Sequence, residues 1–292
     1  MQPETSKDRD GARITVFSMN MLCADYVKNS KYDVDFSVEP AVLKGDRSQL
    51  VPMDQPTFNA YLEAYAAATP HRMAATVGFY GPSIRSADIL TFQEVSDVEW
   101  LASRVEPLGF ELVSQQRKAP GKRGRPKDFA CIFGRPQLRL KPRPLSDFIS
   151  ESDWLDLNSG KPIAAAHSEE LDISVLSVHC NHGKTKQVLT QLTDNDGDLL
   201  IVGDFNETVE GLEGWLESEG SYGKSPTMRC LEGRHPETYG RRIDQVLGRG
   251  RVSVVSTDAV QTDLGEFNFV KAMLFGALSD HIPILAEIRV LP

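Results

Sequence analysis

Six short polar motifs punctuate this chain, each at or beside the end of an apolar run. They are Asn20, Gln93-Glu94, His179-Cys180-Asn181, Gly203-Asp204-Phe205-Asn206, Arg242-Ile243-Asp244 and Ser279-Asp280-His281. Carboxylates, carboxamides and two histidines form a donor set suited to a hard divalent cation facing a phosphate. Residues two apart on a strand share a face, so Asp204 and Asn206 can meet one ligand. A plain Asx-type turn would use the same pair to cap backbone groups. Glu94, after an apolar run, is the first choice of metal ligand, with Asn20, Asp204 or Asp280 nearby. Mg²⁺ favours few carboxylates together with waters and substrate oxygens, which matches that set.

The histidines need orientation before they can act. Asp244 follows two arginines in a strand-like run, where a lone buried aspartate would be costly. It is a candidate partner for His281, because an Asp–His pair raises imidazole basicity near neutral pH. His179, with Asn181 two residues on, could donate to a phosphate or a leaving oxygen, and Asp128 could hold it. Lys184 could reach a neighbouring phosphate, although a solvated turn explains it equally.

The elements that must place these groups are mostly strands. Ile14–Met19, Ala87–Phe92, Phe110–Val113, Phe129–Phe133, Leu171–Val178, Leu199–Val202, Ile243–Leu247, Val252–Val255 and Ile282–Ile288 are β-rich or alternating runs. Helices are predicted over Thr57–Phe79, interrupted near Pro70, and over Glu99–Val105, Lys186–Leu192 and Leu212–Leu216. Residues 1–12 read as a flexible terminus, 25–56 as a long loop or insertion, and 13–292 as one domain without a linker-like break or internal repeat.

Composition is globular, with 40% hydrophobic and 25% charged residues. No apolar stretch is long enough for a membrane span. The first residues lack the apolar core of a secretory signal, which leans toward an intracellular home, cytoplasmic or nuclear. Four scattered cysteines without a Cys-x-x-Cys pair argue against zinc or a disulfide framework. The net charge of -9 is unevenly spread: residues 117–143 hold ten basic residues against Asp128 alone. An acidic body with one basic segment suits a polyanionic substrate gripped in one place. Arg123 and Arg125, in Lys122-Arg123-Gly124-Arg125-Pro126, are the expected substrate-side contacts, with Asn181 and Lys184.

Taken together, these motifs resemble the endonuclease/exonuclease/phosphatase superfamily, the deoxyribonuclease I-like fold, over about Ile14 to Ile288. The resemblance implies an α/β (α+β) architecture: two packed, mostly antiparallel β-sheets flanked by helices in a four-layer sandwich. Asn20 is similar to the asparagine closing the first strand, and Glu94 of Phe-Gln-Glu-Val to the metal-binding glutamate. Asp128 resembles the acid supporting the first histidine, and His179 that histidine, which stabilises the phosphate or protonates the leaving group. Asp204 and Asn206 resemble the pair orienting water and phosphoryl oxygens. Asp244 resembles the partner of the terminal histidine. Asp280 and His281 resemble the late metal-facing acid and the general base. Asn20-Met-Leu-Cys-Ala-Asp-Tyr26 is most similar to the deadenylase-type branch that includes nocturnin and the Angel proteins. Asp128-Phe129 replaces that branch's Asp-Gly, and Gln245 replaces its aromatic.

The resemblance implies a Mg²⁺-dependent phosphodiester hydrolase, with Mn²⁺ as a possible substitute. A nuclease on RNA or DNA leads, and a phosphatase on a small nucleotide, inositol or lipid phosphate is the alternative. A non-catalytic binding protein would require lost motifs, and none is lost. The sequence leaves oligomeric state open.

Overall fold

The computed structural model describes residues 11–23, 60, 63, 67–120, 127–193, 197–207, 221–222, 243–260 and 281–292. Two sheets carry them. The larger contains β1 (Ala12–Asn20), β2 (Ile89–Val95), β3 (Glu111–Arg117), β4 (Phe129–Gly134), β9 (Ser221–Tyr222), β11 (Val252–Ala259) and β12 (Ile284–Val290), in the order β3-β4-β2-β1-β12-β11-β9. The smaller contains β5 (Leu140–Pro142), β6 (Ile163–Ser168), β7 (Ile173–His179), β8 (Leu199–Asp204) and β10 (Asp244–Arg249), in the order β10-β8-β7-β6-β5. Neighbours are antiparallel except β1 with β2, β7 with β8 and β9 with β11.

Alternation along each strand sorts side chains to two faces. Ile14 and Val16 of β1, Ile89 of β2, Val175 of β7, Leu200 and Val202 of β8 and Val246 of β10 meet in one core between the sheets. The opposite parity of β1 and β2 sends Phe17, Met19, Leu90 and Phe92 outward. There they pack on α1 (Thr69–Phe79), α2 (Gly81–Ser86) and α3 (Val98–Val105). Leu176, Val178, Leu199 and Ile201 likewise pack on α4 (Glu151–Asn158) and α5 (Thr185–Thr193). Helix, sheet, sheet and helix make the four expected layers. Central strands covered on both sides must be apolar throughout, which is why Leu199–Val202 reads as a continuous run.

The interruption expected near Pro70 is present: Glu63 and Ala67 are helical, Ala68 is a turn, and Pro70 sits in the first turn of α1, where a missing N–H costs nothing. Two other features depart from expectation. β1 starts at Ala12, inside the stretch expected to be flexible. The segment carrying α4 and β6 gave no sequence expectation at all: β6 is built on Ala164-Ala165-Ala166, poor strand formers that fit only because both faces are covered. The expected 25–56 loop and the helix over Leu212–Leu216 lie outside the described residues.

Close strand contact fixes the register beneath the rim. Gly203 of β8 has φ +143, and a Cβ there would lie 2.1 Å from the Val178 carbonyl oxygen of β7. Gln93 Nε2 bridges the sheets beside it, donating to Ser177 Oγ at 3.0 Å. Gly203→Ala is expected to destabilise the protein by about 2 kcal/mol or more, through a forbidden φ and a backbone clash. Chemical denaturation checks this, and an unchanged midpoint would contradict the close approach.

Candidate active site

The inner-face parity that builds the core also builds the site. In β1 the inner series runs Ile14, Val16, Ser18, Asn20; in β7 it runs Val175, Ser177, His179; in β8 it runs Leu200, Val202, Asp204. Each series turns polar at the strand's C-terminal end. Because β7 and β8 are parallel, His179 pairs in register with Asp204. β10 runs the other way, so its first residue, Asp244, meets Asp204 from the far side.

Glu94 breaks the parity rule, since alternation would send it outward with Leu90 and Phe92. The β2–β4 register shifts between Phe92 and Val95, and Glu94 takes a left-handed φ of 55°. This irregularity turns the carboxylate back to the rim, at a backbone cost of order 1–3 kcal/mol. Asn206 is also left-handed, with φ 49°.

One amide ties the two acids together. Asn20 Nδ2 donates to Glu94 Oε1 at 3.1 Å and to Asp204 Oδ2 at 3.0 Å, while Asn20 Oδ1 accepts from the Leu22 N–H at 2.9 Å. The Cys23 N–H donates to Glu94 Oε2 at 3.1 Å, and the Asn206 N–H donates to Asp204 Oδ1 at 2.9 Å. His281 Nδ1 lies 2.8 Å from Asp244 Oδ2, and its Nε2 lies 3.9 Å from Asp204 Oδ2. An ionised carboxylate only accepts, so Nδ1 carries a proton, and in the neutral ring Nε2 is the atom left to accept one. All of these groups are buried.

Opposite them stands a residue without a sequence signal. Lys161 Nζ lies 2.6 Å from His179 Nε2 and donates to the Cys180 carbonyl at 3.1 Å. His179 Nε2 in turn lies 3.6 Å from both Glu94 Oε1 and Asp204 Oδ2. Burial first, then the charges of Lys161 and Lys118, hold the His179 ring well below its ordinary value of 6.5. Burial also lowers Lys161 from the ordinary lysine value, against the pull of Asp204 and Glu94.

Among the described residues, two groups of potential ligand atoms cluster within 4.8 Å: Glu94, His179 and Asp204, and Asp204, Asp244 and His281. The first fits a cation well, since two buried carboxylates side by side demand positive charge. With the His179 Nε2 lone pair met by Lys161 and His281 Nδ1 held by Asp244, the atoms left for a cation at Glu94 and Asp204 are carboxylate oxygens. That chemistry suits a hard ion rather than zinc.

The sequence-derived residues therefore divide. Glu94, His179, Asp204, Asp244 and His281 gather, with Asn20 and Asn206 among them. Asn20, read as a metal ligand, presents its nitrogen to the carboxylates and so clamps them. Asn206, read as a phosphate donor, gives Nδ2 to the Cys180 carbonyl at 2.9 Å and to Asp204 Oδ2 at 3.3 Å, because its left-handed turn folds the amide inward. Asp128 is fully buried just before β4, with its charge felt at Lys161. Asn181, read as a substrate contact, is tied to the end of α4: its N–H donates to Asn158 Oδ1 at 2.8 Å and its Nδ2 to Ser159 Oγ at 3.0 Å. Lys184 is exposed ahead of α5. Asp280, Arg123 and Arg125 lie outside the described residues.

The basic segment is less available than its composition implies. Arg135 donates to the carbonyls of Ala87, Leu108 and Arg85 and stacks 4.1 Å from the Phe110 ring centroid. Arg139 pairs with Glu170 and Arg143 with Asp147. Lys118 is the described member whose charge reaches His179.

No family model and no curated protein matches the sequence. Solved structures do. An endonuclease/exonuclease/phosphatase from Bacteroides vulgatus superposes with a TM-score of 0.53 at 14% identity, covering 96% of this chain and 99% of its own. The chain has the endonuclease/exonuclease/phosphatase fold. A protein of that family from Leptotrichia buccalis gives 0.51 at 14% identity, over 94% of this chain and 99% of its own. ANGEL2, a 2′,3′-cyclic phosphatase solved with adenosine-2′,3′-vanadate, gives 0.52 at 14%, over 96% of both chains. At such identities this fold name describes architecture, and the chemistry must come from the rim residues themselves.

His179 supplies a pH test. Its folded value lies below its unfolded one, so the unfolded chain takes up the proton first and stability falls as pH drops through about 6.5. Imidazole NMR on the metal-free protein is expected to show His179 neutral well below pH 6.5. His179→Gln is expected to flatten the stability loss between about pH 7 and 5.5. A ring titrating near 6.5 would contradict this burial.

Proposed function

We propose that this protein is a Mg²⁺-dependent phosphoester hydrolase acting on nucleic-acid phosphodiesters, RNA ahead of DNA, with Mn²⁺ able to substitute. The observation that carries this reading is the buried Glu94–Asp204 pair facing an Asp244-oriented His281. Glu94 and Asp204 would hold the cation, which when bound supplies positive charge to the phosphoryl group. His281 Nε2 is placed to take a proton from water as the water oxygen bonds to phosphorus. The phosphorus–oxygen bond to the leaving group breaks, and the departing oxygen takes a proton from solvent. Asp204 already accepts hydrogen bonds from Asn20 and Asn206, which favours His281 as the base. Asp244 keeps the ring in the productive tautomer.

A nucleic-acid substrate is supported by Lys118 of the basic segment, whose positive charge is felt at His179. A small phosphorylated metabolite is the second reading, favoured by the internal engagement of Arg135, Arg139 and Arg143. Among the described residues no helix is long and apolar enough to cross a membrane. One domain over 13–292 and an intracellular home remain our reading of the sequence.

Labelled poly(A), mixed-sequence RNA, DNA oligomers, an adenosine 2′,3′-cyclic phosphate and a phosphate-release panel, each with Mg²⁺ and with EDTA, test the proposal. RNA cleavage abolished by EDTA is expected. Glu94→Gln and His281→Ala should each lower it by about 10²-fold or more. Hydrolysis that survives either change would end the shared-site reading. Release of phosphate from small substrates alone would select the second one.

A further inference from the structure

Lys161 is built into the rim with more care than a surface lysine needs. After α4, Ser159 and Gly160 both take left-handed backbone, with φ 52° and 63°, and reverse the chain. The turn is locked from several directions. The Lys161 carbonyl accepts from Trp154 Nε1 at 2.7 Å and from Asn158 Nδ2 at 3.1 Å, and its N–H donates to the Asn158 carbonyl at 2.9 Å. Ala119, just beyond β3, donates its N–H to the Gly160 carbonyl at 2.9 Å. A Cβ at Gly160 would lie 2.3 Å from the Ala119 Cβ. Asn158 also donates to the His179 carbonyl at 3.0 Å, so one buried amide joins the Lys161 turn to the histidine strand.

The ammonium so placed has neutral neighbours at hydrogen-bond distance: an imidazole nitrogen and a carbonyl. A lysine offers three donors, and these contacts use two. Among the described residues no carboxylate oxygen pairs with Nζ; Glu94 and Asp204 stand one imidazole atom further away. Arg251, by contrast, meets Asp198 directly at 2.6 Å. A cation drawn out of water without a paired anion is costly, and the cost is recovered when an anion arrives. Asn206, the amide expected to grip phosphate, directs its N–H groups inward, as does Asn20, expected on the metal.

We propose that Lys161 binds the scissile phosphoryl group, its Nζ donating a charge-assisted hydrogen bond to a non-bridging oxygen across from the Glu94–Asp204 pair. This rests on the phosphoester reading of the same site. It assigns to a lysine the part that sequence resemblance gives to an asparagine amide. A rigid backbone holding an ammonium where charge accumulates is the preorganised stabilisation that phosphoryl transfer uses.

Calorimetric titration of the full chain with inorganic phosphate, with and without Mg²⁺, tests it on wild type, Lys161→Arg and Lys161→Met. Lys161→Met should weaken phosphate binding about ten- to a hundredfold, and Lys161→Arg only a few-fold. Unchanged affinity in Lys161→Met, or a wild type that binds no phosphate, overturns the proposal. Should Lys161→Met fail to fold, the wild-type lysine side-chain NMR signals decide: the Lys161 resonance shifts on adding phosphate, and a resonance that ignores phosphate overturns it. Lysine-dependent phosphate binding in a protein inert to every phosphoester would remove the hydrolase reading and, with it, the scissile group, leaving Lys161 in a phosphate-binding site only. A working hydrolase whose phosphate affinity ignores Lys161→Met keeps the hydrolase reading and overturns this proposal.

Discussion

Two buried carboxylates, Glu94 and Asp204, share a single amide, and the organisation of the rim follows from that arrangement. Asn20 Nδ2 lies about equally far from both, at 3.1 and 3.0 Å. Like charges in a dry setting repel strongly, and neutral N–H donors from Asn20, Cys23 and Asn206 soften that repulsion without cancelling it. A divalent cation would cancel it. The positive φ at Glu94 belongs to the same account, because the local strain persists only where surrounding structure holds it.

The sheets explain why such an arrangement can exist. Three strands, β1, β7 and β8, start apolar and end polar on one face and deliver their last inner residues to a common edge; the irregularity in β2 turns Glu94 to that edge, and antiparallel β10 delivers its first residue. The fold thus concentrates polar groups at one end and keeps the rest of the inter-sheet core apolar. Gln93, Ser177 and Gly203 form the layer between, where hydrogen bonding and close backbone contact replace hydrophobic packing. The His179 strand and the Lys161 turn are coupled through Asn158, so charge placement on the two sides of the site depends on the packing of α4 as well as on the strands.

Much of this was legible in the sequence. Apolar runs ending in Glu94, His179 and Asp204 announced both the strands and the residues they carry, because alternation with burial on both faces leaves a plain pattern. The Asp244–His281 partnership was readable from the cost of burying either alone. Roles were less legible than positions. Nothing in Asn20 or Asn206 tells which way a carboxamide points; Leu22 N–H and the Cys180 carbonyl decide that. Lys161 left no trace, since one lysine in a Ser-Gly-Lys-Pro turn looks like any solvated loop. Arg135 and Arg143 misled in the opposite direction, as composition counts charge without showing which carbonyl or carboxylate has already claimed it.

The central claim is that Glu94 and Asp204 hold one hard cation between them. A crystal structure of the protein grown with Mn²⁺, with anomalous difference density, tests it most directly. The account predicts a single strong peak roughly 2.1 Å from an oxygen of each carboxylate, at the Asn20 edge of the sandwich. A peak elsewhere, or one liganded by His179 Nε2 with Lys161 displaced, would contradict it.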